Sequence, residues 1–138
     1  MLASSYGHPI RLEDARRAAA AALAEARKND WTMAVAIVDP SGTLVCYEKM
    51  DDTQTASATV AIEKARSAAL YKRPTKAMQE MLAAGGAGLR VLRLAGAIPV
   101  EGGIPLIEDG QIVGAIGVSG GSSDEDGVCA QAGASTIK

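Results

Sequence analysis

Phenylalanine is absent from this 138-residue chain; tryptophan and histidine each occur once, cysteine twice and tyrosine three times. Each shortage removes a class of protein. With so few aromatic platforms and a formal net charge of -2, the chain lacks both the stacking surface and the basic balance that nucleic-acid binding draws on. Cys46 and Cys129 lie far apart without metal-type spacing, so neither a zinc site nor a disulfide framework is indicated and buried thiols are expected. No apolar run approaches the roughly 18–20 residues that cross a bilayer, so no membrane partner is expected. The start, MLASSYGHPIRLEDARR, has no hydrophobic signal region, which predicts a cytoplasmic protein. At this length one domain with one core, residues 1–138, is expected.

Base is also missing from one end. No Lys or Arg falls between Arg93 and Lys138. From Lys64 to Arg93, seven basic residues face Glu80 alone, so that segment is +6 and the remainder -8. Such segregation suits a solvated helix face, an anionic ligand or an acidic neighbouring subunit.

Glycine, by contrast, is plentiful, and seven of the 15 lie in GGIPLIEDGQIVGAIGVSGG, residues 102–121. A phosphate loop would need a Lys that this stretch lacks, and Gly114 and Gly117 fall within an expected strand instead of a βαβ turn. GVSGG, 117–121, matches the nucleophile-elbow pattern around Ser119, but that mechanism needs an acid and then a histidine downstream. The sole histidine, His8, is upstream, and a Ser119–Lys arrangement has no local support. Ser119 reads as a turn residue or a pocket-lining donor. What stands is that strand glycines make room for something that comes close: a helix, a partner subunit or a flat ligand.

The periodicity predicts a helix over 12–28 with an alanine face, then a hairpin, 33–38 and 44–50, turned at DPSG. In the return strand Leu44, Cys46, Glu48 and Met50 share one face, and Val45, Tyr47 and Lys49 the other. A second alanine-faced helix covers 57–71 and stops at KRPT. Thr75 is expected to cap a third helix carrying Met78, Met81 and Leu82 as core filler, ended by AAGGAG. Residues 95–100 are ambiguous between strand and irregular structure. Asp109-Gly110 signals a two-residue hairpin, pairing Leu106 with Val113 and Pro105 with Gly114; Pro105 belongs at the sheet rim and 111–118 inside. That register puts Gly114 with Ile112, Ile116 and Val118, and Gly117 with Val113 and Ala115. Ser122 and Glu125 have capping-box spacing before a last helix, whose dipole Asp124 and Asp126 complement. Asp39, Asp51 and Asp52 read as turn carboxylates. The class is α+β: a single antiparallel sheet flanked by helices.

AVAIVDPSGTLVCYEKMDDT, SATVAIEKARSAALYKRPT and EGGIPLIEDGQIVGAIGVSGGSSDEDGVCAQAG together resemble the GlcG/HbpS-like haem-binding family, also the C-terminal part of PduO-type cobalamin adenosyltransferases. The likeness runs over about residues 12–134. It implies a profilin-like α/β arrangement, a homo-oligomer from dimer to octamer, and haem as a cofactor or ligand in some members. Motif positions carried here are Asp39, Met50, Lys64, Thr75, Gly102, Gly103, Pro105, Gly114, Gly117, Ser119, Gly120 and Asp126; Arg11 replaces a helix-capping Thr. Under this resemblance His8 is the candidate haem ligand, with Cys46, Tyr47, Met50 and Tyr71 as substitutes, and Lys64, Arg66 or Lys72 would receive propionates. Missing Phe argues against a generous aromatic pocket. Ligand contacts are expected from Met50, Lys64, Thr75, Gly102, Gly103, Pro105, Gly117, Ser119 and Gly120.

Two main readings follow. One is a small protein that binds haem or a related tetrapyrrole. The other is an oligomeric enzyme acting on a small anionic metabolite at a subunit boundary. There Lys64 would be electrophile or base near Asp39 or Asp126, with Ser119 as a positioning donor. A purely structural subunit is the third.

Overall fold

Residues 5–138 are described by a computed structural model of the chain, and the first four residues of the expected 1–138 domain lie outside the described residues. The order is β1 (Ser5–Tyr6), α1 (Leu12–Lys28), β2 (Ala34–Val38), β3 (Leu44–Lys49), α2 (Ala56–Tyr71) and α3 (Thr75–Ala84). A 3₁₀ helix (Gly86–Leu92), β4 (Gly103–Glu108), β5 (Gln111–Ser119) and α4 (Ser123–Ala134) follow. One five-stranded sheet forms, with β5 in its middle: β4 lies along one edge, and β1 and then β2 along the other, with β3 outermost. The expected antiparallel sheet needs one amendment, because β1 runs parallel to β5. Helices α1 and α4 pack on one face with Ile37, Val35, Ile116 and Val118; α2 covers the other, against Ala34, Ala36 and Ala115.

Local chemistry explains most boundaries. Asp109 and Gly110 both have positive φ, 51° and 78°, as a tight primed hairpin turn requires. Ser122 and Glu125 form the full capping box on α4. Arg11 stands at the N-cap of α1 and makes no side-chain cap bond, so the substitution costs that helix its first cap. As the strand outside β5, β4 tolerates Pro105 at the rim.

Four expectations change. Thr75 is not a cap: Pro74 holds that position, and the buried Thr75 hydroxyl accepts instead from the Gly103 N–H at 2.9 Å. The stretch 95–100, open between strand and irregular structure in the sequence, is turns and irregular chain and is not one of the four. Leu106 pairs with Gly114 and Pro105 with Ala115, because Val113 is an extra, bulged residue. Its carbonyl is taken by the Ile10 N–H at 2.8 Å, at the point where the neighbour of β5 changes from the N-terminal segment to β2. The bulge carries Val113 into the cluster of Ile116 and Val118, against the expected alternation. A similar shift in β2–β3 lets Val45 and Cys46 both pack on the larger cluster.

The glycines make room for the protein itself. Gly103 and Gly117 face each other across β4 and β5, and a Cβ on either would collide with α2 backbone, at Lys64 and at Ala61–Ala65 respectively. Gly114 leaves space for the Val38 carbonyl and Ile10. Gly117→Ala should therefore lower stability by about 1–3 kcal/mol or more through overpacking. Equilibrium denaturant unfolding measures it; an unchanged midpoint would show that α2 is not seated on the glycine pair.

Candidate functional site

Helix α2 buries alanines against the sheet, and Lys64 shares that face. With 1% of its side chain exposed, its stem runs past Gly102 and ends at two acceptors. The ammonium donates to the Val118 carbonyl at 2.9 Å and to Asp126 Oδ2 at 2.8 Å, while Asp126 Oδ1 accepts from the Gly121 N–H at 2.9 Å. Asp126 belongs to α4, on the far face of the sheet, so the pair links the two helical layers past the end of β4. Burial pulls the Lys64 pKa down and pushes that of Asp126 up, each resisted by the partner's charge. Each charged group therefore has hydrogen-bond partners, and no buried side-chain polar atom among the described residues lacks one.

In front of this pair lies a cleft of about 430 Å³, walled by Pro74 before α3 and Lys76 within it, the 101–104 segment, and Asp124, Gly127, Val128 and Gln131 of α4. Gly102, at φ 133°, and Gly103 supply bare backbone to its wall; Ile104 and Val128 supply apolar surface. Lys76 is the one cation there, against Glu101 and Asp124. Sequence reasoning missed Lys76, Ile104 and Val128. They sit on three separate elements, and only the Gly102–Gly103 motif beside them carried a local signal.

The expected site residues divide into groups. Lys64, Thr75, Gly102, Gly103 and Asp126 converge at or behind the cleft. Ser119 is nearby in the chain, but its hydroxyl is 4% exposed and donates to Ser57 Oγ at 3.3 Å. Gly117 lies under α2, Pro105 is on the β4 edge, and Gly120 packs against Thr32 and Met33. Asp39 is elsewhere: Val38 faces Ala115 whereas Ala34 faces Ser119, so Asp39 sits at the end of β2 away from Lys64. There Asp39 accepts from Ser41 N–H, Ser41 O–H and Thr43 N–H. Slight burial works against its charge, but those bonds prevail and hold its pKa below the usual value.

Candidate iron ligands and propionate partners do not gather. His8 is exposed, with Nε2 2.6 Å from Glu108 Oε2 and its neighbours polar. Hydrogen bonding to the Pro9 carbonyl and to Glu108 raises its pKa, and those two contacts engage both ring nitrogens. The Met50 sulfur accepts from Met33 N–H, Tyr71 donates to the Ala95 carbonyl, and Cys46 and Tyr47 line a separate groove against α1. Arg66 binds the Gly42 carbonyl, and Lys72 lies over the Tyr6 ring at 4.8 Å. No helix among the described residues is long and apolar enough to cross a membrane, and no cluster of three metal-type side chains occurs among them.

Two tests address this geometry. Lys64→Met leaves Asp126 buried without its partner and should destabilise by about 3–5 kcal/mol, with Lys64→Met/Asp126→Leu recovering much of the loss in denaturant unfolding. Burial pushes the Cys129 thiol up to about 12 and raises Cys46 less. A thiol reagent at pH 8 should label half-buried Cys46 slowly and Cys129 only after unfolding, as intact-mass spectrometry would show.

Residues 10–135 match the family model described as "Haem degrading protein HbpS-like". Protein GlcG of Escherichia coli K12 is 42% identical over 100 residues, covering 72% of this chain and 73% of GlcG. An HbpS double mutant from Streptomyces reticuli superposes with TM-score 0.87 at 30% identity, covering 97% of this chain and 90% of that one. A crystal structure titled as a PduOC:heme complex gives TM-score 0.84 at 27% identity, over 94% and 96% of the two chains. In sequence, the Corrinoid adenosyltransferase PduO of Salmonella typhimurium is 29% identical over 85% of this chain but only 35% of its own length. A family match across nearly the whole chain and a shared sheet-and-helix architecture agree with the motifs at 34–53, 57–75 and 101–133: the chain belongs to the HbpS-like family.

Proposed function

We propose that this chain is a binding protein for a flat, carboxylate-bearing ligand of the haem-related, tetrapyrrole class, held in the cleft between α3, the Gly102–Gly103 segment and α4. The observation that carries this reading is the cleft's construction. Backbone-only glycines and apolar Ile104, Pro74 and Val128 offer a smooth wall to a planar face, and Lys76 stands at its side to meet a carboxylate. The relatives named for haem supply the ligand class.

The lining suits the apolar face of a macrocycle and, through Lys76, one of its acids, but not the metal. Axial ligation of haem iron draws on His, Cys, Met or Tyr, and none of these lines the cleft. His8, the candidate ligand, lies in a separate polar hollow beside Glu108. No step of the reading runs through iron. Catalysis on a small anionic metabolite through Lys64 and Ser119 draws no support from the geometry, since both side chains are buried and spent on internal bonds.

Spectrophotometric titration with haemin and with metal-free protoporphyrin tests the proposal. Both should bind, with affinities within about tenfold, because no protein ligand adds its share to the iron form (1.4 kcal/mol is tenfold). Lys76→Ala should weaken both by up to about fivefold, the worth of one partly exposed charge contact. His8→Ala should leave both unchanged. Absence of binding by either porphyrin sinks the reading; binding of haemin alone, lost in His8→Ala, moves the site to His8.

A further inference from the structure

A 3₁₀ helix turns every three residues, so side chains three apart lie on one line. From Leu89 to Arg93 the sequence LRVLR follows that period. Val91 is 1% exposed and anchors the segment. Leu89 and Leu92, at 54% and 63% exposure, form a second stripe. Arg90 and Arg93, both exposed, have the same spacing and form a third. Scattered surface leucines are ordinary, but a row of them beside a row of arginines is a docking surface.

Two copies of this ledge facing each other would set arginine against arginine, so its match lies elsewhere. Between Arg93 and Lys138 the chain holds six carboxylates and no base. Within that stretch, exposed Val128 stands one turn from exposed Asp124 on α4, beside a cleft where Glu101 and Asp124 outnumber Lys76. None of the remaining exposed leucines marks an acidic face: Leu12 lies beside Arg16, Leu44 is on a strand carrying both Glu48 and Lys49, and Leu70 is two residues before Lys72 at the basic end of α2.

We infer that the Leu89/Leu92–Arg90/Arg93 ledge of one copy docks on the Asp124–Val128 face of α4 in a second copy, bringing two arginines to the mouth of the ligand cleft. The second clause rests on the proposed cleft, whose walls include Asp124 and Val128. A single protomer lines that cleft with Lys76 against Glu101 and Asp124, a net charge of -1 that opposes a ligand bearing carboxylates. Two arginines from the neighbour reverse it to +1. The site is complete only between copies.

Light scattering on the full chain, at low and high salt, reads the assembly. The wild type should be a multimer whose mass falls as salt rises. Arg90→Glu/Arg93→Glu, Leu92→Asp and Asp124→Lys should each run as single protomers with unchanged circular dichroism, since all four side chains are exposed. The decisive arm mixes Arg90→Glu/Arg93→Glu with Asp124→Lys: each presents the charge the other now lacks, and the mixture should regain the wild-type mass. A wild type that is monomeric throughout, a multimer indifferent to these substitutions, or a mixture that stays dissociated overturns the inference. Porphyrin titration reports separately: a chain that assembles this way yet takes up no porphyrin refutes the ligand reading and keeps the interface.

Discussion

Helix α2 rests on β4 and β5 where Gly103 and Gly117 pair across the strands, and its own backbone at Ala61, Lys64 and Ala65 occupies the space that side chains there would need. Close packing of this kind leaves no layer of side chains between helix and sheet, and the interior has no slack to absorb an added methyl. It also decides what happens to Lys64. A lysine held that tightly against the strands has no path to water, so its charge must be met inside the protein, and the nearest route is past Gly102 to Val118 and Asp126. The ion pair is therefore a consequence of the glycine contact. Replacing both partners by apolar groups is often tolerated, whereas removing one strands the other.

That consequence shapes the cleft. Because Asp126 must meet Lys64, the first turn of α4 is drawn in beside the 101–104 segment, and the Gly121 N–H is held by the same carboxylate. Thr75 does the equivalent on the opposite side, fixing the start of α3 to Gly103. One helix start is thus bonded directly to this short stretch of chain, the other is held beside it through Lys64, and the space left between them is the cleft. A ligand there would meet walls whose positions are set from behind by satisfied polar contacts, which is the preorganisation that makes a binding surface specific.

Some of this was legible in the residues and some was not. Asp109-Gly110, the Ser122–Glu125 box and the alanine faces of α1 and α2 act over a few positions, and their chemistry leaves little choice. The bulge at Val113 depends on Ile10, over 100 positions away in the chain, whose N–H takes the Val113 carbonyl; no local pattern reports that. Thr75 looked like a cap because threonine before a helix usually is one, yet burial gave its hydroxyl a nearer use. Lys64 and Asp126 were both singled out, but spacing along the chain does not state that two residues on opposite faces of a sheet will meet. The glycines were read correctly as room-makers, while their guest was left open among helix, subunit and ligand; at Gly103 and Gly117 it is the helix.

Charge shows the same division between what is internal and what faces outward. Of the seven bases from Lys64 to Arg93, Lys64 is neutralised inside, Arg66, Lys72 and Arg73 are engaged on the protein's own surface, Lys76 lines the cleft, and Arg90 and Arg93 pair with no carboxylate among the described residues. On the acidic side, Asp126 is consumed by Lys64, while Asp124 faces the cleft. The protomer thus carries a cationic ledge and an acidic helix turn, each bordered by uncovered aliphatic side chains. Charges a chain can pair internally fix its fold; the pairs it segregates onto separate faces carry information only when another molecule supplies the opposite sign.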